Sequence, residues 1–110
     1  MNSWSVKVAE KIVLPKGYKA AGCYAGIKKR NAKDMALIYS EVPAAVAGTF
    51  TTNQVKAATV KLCMRRLKSQ SGRAVIVNSG NANACNGDRG MKDAERMSEL
   101  TAELLGVGKK

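Results

Sequence analysis

The stretch Ala74-Val75-Ile76-Val77-Asn78-Ser79-Gly80-Asn81-Ala82-Asn83-Ala84-Cys85-Asn86-Gly87 changes character within one residue. It opens as a short apolar run rich in β-branched side chains, the composition of a buried strand. From Asn78 onward it holds small, polar, turn-forming residues. Gly80 and Gly87 can take positive φ, and asparagine tolerates it better than other non-glycine residues. Asp88 then stands where it can cap a helix with apolar positions at Met91, Ala94, Met97, Thr101 and Leu104 or Leu105. Strand, tight polar loop and helix N-terminus follow one another, the arrangement at which α/β proteins place ligands. The loop lacks the lysine and hydroxyl residue of a phosphate loop and the G-x-G-x-x-G spacing of a dinucleotide fold. On pattern alone, the favoured reading is a capped strand-to-helix turn without a ligand.

Working outward, residues 88–105 form the clearest helix, with acids early at Asp93 and Glu95 and Gly106 just past its end as a left-handed cap. Its exposed face carries Arg96, Glu99 and Glu103. Upstream, residues 57–68 read as a second helix, although Thr59-Val60 resists one, and Ser71-Gly72 ends it. Residues 18–27 are dense in glycine and alanine, which favours strand over helix. A polar turn at residues 28–34, closed by Asn31 and Asp34, leads to a returning strand at 35–40, so 18–40 reads as a hairpin. Glu41-Val42-Pro43 breaks that strand. Residues 44–51 are a short strand or a crossing segment, and Val6 to Leu14 suggest a first extended segment stopped by Pro15-Lys16-Gly17.

At 110 residues with 45% hydrophobic side chains, the chain is expected to fold as one domain without an internal boundary. The net charge of +11 arises wholly within residues 1–73, which hold 14 Lys or Arg against 3 acids. The remainder is balanced at 5 against 5. Such a surplus favours anionic partners, and a basic module that binds nucleic acid or another polyanion is one reading. Against it, no basic run exceeds Lys28-Lys29-Arg30, and no aromatic residues are interleaved for base stacking. A solvated basic face, or one covered by an acidic partner, is the simpler reading.

Cys23, Cys63 and Cys85 are widely spaced, and the chain has no histidine. That excludes a zinc site of the Cys/His type and a Cys-His nucleophile pair, and a disulfide framework is not expected. Cys85 is read as a small packing residue. Residues 1–10 lack the apolar core of a signal peptide, and no apolar run approaches a membrane span, so a cytoplasmic protein is expected. The chain stops at Val107-Gly108-Lys109-Lys110, where an α/β chain would make its next strand; truncation is the expectation.

Several segments together resemble the ornithine acetyltransferase family, the bifunctional glutamate N-acetyltransferases of arginine biosynthesis. They are Pro15-Lys16-Gly17-Tyr18-Lys19-Ala20-Ala21-Gly22, Ala25-Gly26-Ile27-Lys28 and Asp34-Met35-Ala36-Leu37-Ile38. Then come Val42-Pro43-Ala44-Ala45-Val46-Ala47-Gly48-Thr49-Phe50-Thr51-Thr52-Asn53 and Val55-Lys56-Ala57-Ala58. The strongest is Val77-Asn78-Ser79-Gly80-Asn81-Ala82-Asn83-Ala84-Cys85, continuing through Gly87 to Ala94, Arg96 and Met97. Asn86, where the family usually has Thr, and the pair Arg65-Arg66 depart from the pattern.

The resemblance implies an α/β fold: the N-terminal portion of a layered α/β sandwich, a mixed sheet with flanking helices. It further implies a precursor that cleaves itself before a threonine into α and β chains, which assemble as two α and two β. The new N-terminal threonine takes an acetyl group from N-acetylornithine and passes it to glutamate, its own amine acting as base. No cofactor is implied. Carried over residue by residue, the resemblance assigns no catalytic residue here. Thr49, Thr51, Thr52, Thr59 and Thr101 lie outside the cleavage motif, and the family's Thr-Gly oxyanion pair falls beyond Lys110. The chain alone is therefore expected to be inactive. The candidate substrate-binding residues are Asn81 and Asn83, in the loop at 79–83, with amides able to hold a carboxylate or to brace neighbouring backbone.

Overall fold

The computed structural model describes residues 13–29 and 31–108. A first strand, β1 (Tyr18–Cys23), pairs antiparallel with β2 (Met35–Ala45), from Tyr18 opposite Ser40 to Cys23 opposite Met35. This is the expected hairpin. Helix α1 (Ala58–Arg66) runs into one turn of 3₁₀ helix at Leu67–Ser69, and β3 (Ser71–Asn78) returns antiparallel along the other edge of β2. Helix α2 (Gly87–Leu105) closes the described chain. The α/β class stands, and every strand pairing among the described residues is antiparallel, in the order β1-β2-β3.

Alternation sorts the sheet into two faces. Met35, Leu37 and Ile76 point to one, where Met97, Leu100 and Leu104 of α2 share with them an apolar groove of about 420 Å³. α1 packs against α2, and Arg65 of α1 bonds Glu95 of α2. The buried residues of this layer are small or medium: Leu62, Gly90, Ala94 and Ala102. The opposite face carries Tyr18, Ala20, Ile38, Val75 and Val77, which the register places side by side. It is open to solvent, with Ile38 at 44%, Val75 at 55% and Val77 at 49% exposure.

Three expectations about element boundaries are corrected. Glu41-Val42-Pro43 does not end β2; the strand runs on to Ala45 through a register shift between Tyr39 and Ala44. Proline is tolerated at such an irregularity because no ladder bond asks for its missing N–H. Arg73 fills the irregularity. Its Nε donates to the Ser40 carbonyl at 2.9 Å, and one Nη donates to the Glu41 carbonyl at 2.7 Å and the Tyr39 hydroxyl at 2.8 Å. Its guanidinium also stacks over the Tyr39 ring, 5.4 Å from the centroid.

Ser71 and Gly72 do not end a helix. They open β3, paired with Ala45 and Ala44 of β2, and the reversal is made earlier by Gln70, at φ 56°. Asp88 is not the cap of α2. It lies in the first turn, where its charge complements the helix dipole, and Asn86 holds the cap position without a side-chain cap bond. At the other end Gly106 takes φ 64°, and its N–H and that of Val107 reach back to Glu103 and Ala102, as expected of a left-handed cap. The segment expected at residues 6–14 lies outside the described residues over 6–12.

Candidate functional site

β3 delivers the chain into the loop at 79–86, and four backbone conditions shape it. Ser79 donates its N–H to the Asp34 carbonyl at 2.9 Å. Gly80 (φ 94°), Cys85 (φ 57°) and Gly87 (φ 58°) all take the left-handed region. A Cβ on Gly80 would come within 2.5 Å of Lys28 Cγ, so the Lys28 stem lies across the glycine.

Asn83 organises the second half of the loop. Its carbonyl accepts the N–H of Ala58 at 3.2 Å, at the start of α1, where Ala57 makes no side-chain cap bond. Its Nδ2 donates to the Gly90 carbonyl at 2.7 Å, and its Oδ1 accepts from Asn86 Nδ2 at 3.1 Å. One side chain thus ties loop, α1 and α2 together. Asn81 differs. It is exposed, and its backbone carbonyl accepts from Asn78 Nδ2 at 3.4 Å.

Both candidate asparagines border one cleft of about 240 Å³ between the loop, α1 and α2. Asn78, Asn81, Asn83 and Asn86 give it amide groups, Asp93 a carboxylate and Thr59 a hydroxyl, while Ile27, Met35 and Met97 supply apolar wall. Amides donate and accept at once, so such a lining suits an amide or an amino-acid backbone. Asn83 spends both side-chain atoms on the protein itself, which is the bracing role weighed for it. Asn81 is the exposed candidate of the two that line the cleft.

Asp34 is the residue that sequence reasoning undervalued. It is only 3% exposed, yet its carboxylate accepts three backbone N–H groups: Ala25 at 2.7 Å, Ile27 at 2.7 Å and Lys28 at 3.0 Å. These bonds, that of Ala25 foremost, hold its pKa below the ordinary aspartate value of 3.8 although burial pushes the other way. Read from sequence, Asp34 merely closes a turn. Its reach into the 79–86 loop has no local signal. Gly90 was likewise invisible, being a lone glycine in a helical pattern; a Cβ there would stand 2.4 Å from Asn83 Oδ1 and 2.8 Å from Asn86 Cβ.

Cys85 is exposed, as are Cys23 and Cys63, so its reading as a packing residue is corrected. It serves the left-handed turn instead. Among the described residues no group of three or more His, Cys, Asp or Glu is placed to hold a metal ion, and no helix is long and apolar enough to cross a membrane. Part of the positive charge is used internally: Lys19 pairs with Glu41, Arg65 with Glu95, Arg89 with Asp93, and Arg96 with Glu99 and Glu103.

An antiparallel sheet whose last strand passes through an asparagine-braced loop into a long helix, with a polar cleft at the junction, defines an α/β unit. The chain belongs to the ArgJ family, which it matches over residues 19–110. It is 54% identical over 97 residues to the arginine biosynthesis bifunctional protein ArgJ of Caldanaerobacter subterraneus, covering 88% of this chain and 24% of that protein. Against the Geobacter sulfurreducens protein of the same name, identity is 55% over 92 residues, covering 84% and 23%. Among solved structures, the ornithine acetyltransferase of Mycobacterium tuberculosis, complexed with ornithine, superimposes with a TM-score of 0.81 at 48% identity, covering 84% of this chain and 48% of that one. ArgJ of Bacillus halodurans gives 0.81 at 40% identity, covering 86% and 49%. The chain thus spans about a quarter of the length of its curated relatives.

Proposed function

We propose that this chain supplies the N-terminal part of an acetyltransferase of arginine biosynthesis, acting in the cytoplasm on N-acetylornithine and glutamate. The observation that carries this reading is the match to ArgJ over residues 19–110, with the asparagine loop intact. In this reading the nucleophile is an N-terminal threonine on a separate β chain. Its hydroxyl attacks the acetyl carbonyl while its own amine takes the proton. Ornithine then leaves as the amine, and the acetyl-threonine is attacked by the amine of glutamate, which regenerates the hydroxyl. Charge on the carbonyl oxygen is met by donors outside this chain.

The part left to residues 13–108 is architectural and recognitive. The braced loop fixes α1 and α2 against the sheet, and the free amide of Asn81 is the side chain offered to substrate. The open face of Ile38, Val75 and Val77 is where the rest of an ArgJ-type protein packs, because a sheet with an apolar face needs a second layer. The complete assembly in this reading is two α and two β chains.

Incubating the chain alone with N-acetylornithine and glutamate tests the division of labour. Neither N-acetylglutamate nor an acetylated form of the chain is expected by mass spectrometry. An acetylated chain, or turnover, would place the nucleophile within these 110 residues and overturn the reading.

A further inference from the structure

Ala25, Ile27 and Lys28 all donate backbone N–H groups to one buried carboxylate, that of Asp34. The same residue uses its main chain in two further directions. Its N–H donates to the Cys23 carbonyl at 3.1 Å, closing the end of the hairpin ladder, and its carbonyl accepts Ser79 N–H at 2.9 Å, where β3 enters the asparagine loop. Two segments distant in sequence are therefore fastened to one residue. Ile27, held by the carboxylate, lines the cleft, and Lys28, held beside it, lies across Gly80.

We infer that Asp34 is a positioning residue for the cleft: by fastening the 25–28 turn and Ser79 together, it sets the distance between the Ile27 wall and the asparagine loop. A turn of this length with two or three unbonded N–H groups would not hold one conformation, because part-buried donors are better satisfied by an acceptor and the backbone entropy of the turn favours release. A carboxylate is the one side chain short enough at this position, and acceptor-only, that can take all three donors at once. An amide in its place keeps one oxygen and turns N–H₂ toward the remaining donors. The inference concerns the shape of the cleft and rests on the reading of that cleft as the functional site. The experiment reads shape alone, so its outcome is separable from that of the acetyl-transfer reading.

The test is amide hydrogen exchange, followed by NMR on the 110-residue chain, in Asp34→Asn and in Arg73→Met as a control that loosens the sheet elsewhere. In Asp34→Asn the amides of Ala25, Ile27 and Lys28 are expected to lose protection by about tenfold or more. The amides of Ser79 and Ala58, across the cleft, lose it with them, while those of Gly106 and Val107 at the far end of α2 do not. Arg73→Met lowers protection at Ser79 and Ala58 no more than at Gly106 and Val107. Loss confined to residues 25–28 would overturn the inference, reducing Asp34 to a closer of its own hairpin. So would equal loss at Ser79 and Ala58 in both variants. Should Asp34→Asn fail to fold, Gly80→Ala presses on the 25–28 turn from the loop side, where Lys28 and Ile27 lie against the glycine. It is expected to move the Ile27 and Lys28 amide signals, and unmoved signals there would contradict the inference.

Discussion

The Asn83 side-chain amide donates to the Gly90 carbonyl at 2.7 Å, and its oxygen stands 2.4 Å from the point a Gly90 Cβ would occupy. The hydrogen bond and the missing Cβ are one device: the loop can lie on α2 only because the helix has no side chain there. An alanine in a helix interior ordinarily stabilises by about 0.5–1 kcal/mol over glycine. Here the sign reverses. Asn83 Oδ1 is pinned by Asn86, and Asn86 Cβ itself stands 2.8 Å away, so neither neighbour can yield freely. Gly90→Ala is expected to destabilise by roughly 1–3 kcal/mol in urea unfolding. A stabilised variant would show that the loop does not rest on the helix as described.

Arg73 offers a second test, on the sheet. Its guanidinium satisfies two carbonyls that the register shift in β2 releases from the ladder, and it bonds the Tyr39 hydroxyl as well. Arg73→Met keeps much of the stem's packing and removes these bonds. The expected cost is about 1.5–3 kcal/mol, the range for hydrogen bonds to charged groups. A shift of the urea midpoint too small to measure would mean that water replaces the guanidinium at no cost.

Acid stability follows from Asp34. Its carboxyl is held below 3.8 in the folded chain, so the stabilisation it gives is fully present above that value and is lost as pH falls through the lower, folded value. Comparing the chain with Asp34→Asn, the stability gap is expected to be constant near neutrality and to close below pH 3.8. A gap that closes well above that pH would contradict the assignment. At the opposite extreme, the hydrogen bond and charge of Glu41 raise the pKa of Lys19 above 10.5. That contribution is fully present below 10.5 and is lost as pH rises from there through the raised, folded value.

The open sheet face predicts a separation of stability from association. Val75 and Val77 are half exposed, so changing both to threonine is expected to alter unfolding free energy by no more than about 0.5 kcal/mol. The same change is expected to reduce self-association in sedimentation velocity and binding of a hydrophobic dye. A loss of 2 kcal/mol or more would mean that the face is covered within the chain itself.

Where sequence and structure agree, the controlling interactions are local. The glycine- and alanine-rich run from residue 18, the polar turn that leads into 35–40, the apolar run at 74–77 and the glycine at 106 each act within a few positions, and each element is found there. The misreadings share a different cause. Pro43 looks like a strand breaker until Arg73, thirty residues away, is seen repairing the irregularity it sits in. Asp88 looks like a cap because the sequence cannot show that Asn86 turns its amide to Asn83 instead. Likewise the candidate pair Asn81 and Asn83 is equivalent on paper. Only the third dimension gives Asn83 a carbonyl on α2 to hold and leaves Asn81 at the mouth of the cleft.

The central claim, that these residues form a working part of an acetyl-transferring enzyme, is tested most directly in a chimera. The segment of the Geobacter sulfurreducens protein that aligns with this chain would be replaced by the corresponding residues of this chain. Acetyl transfer from N-acetylornithine to glutamate would then be measured. The account predicts a chimera that cleaves itself into two chains and makes N-acetylglutamate, with Asn81→Ala raising KM in the same background. A chimera that folds and cleaves yet transfers no acetyl group would contradict it.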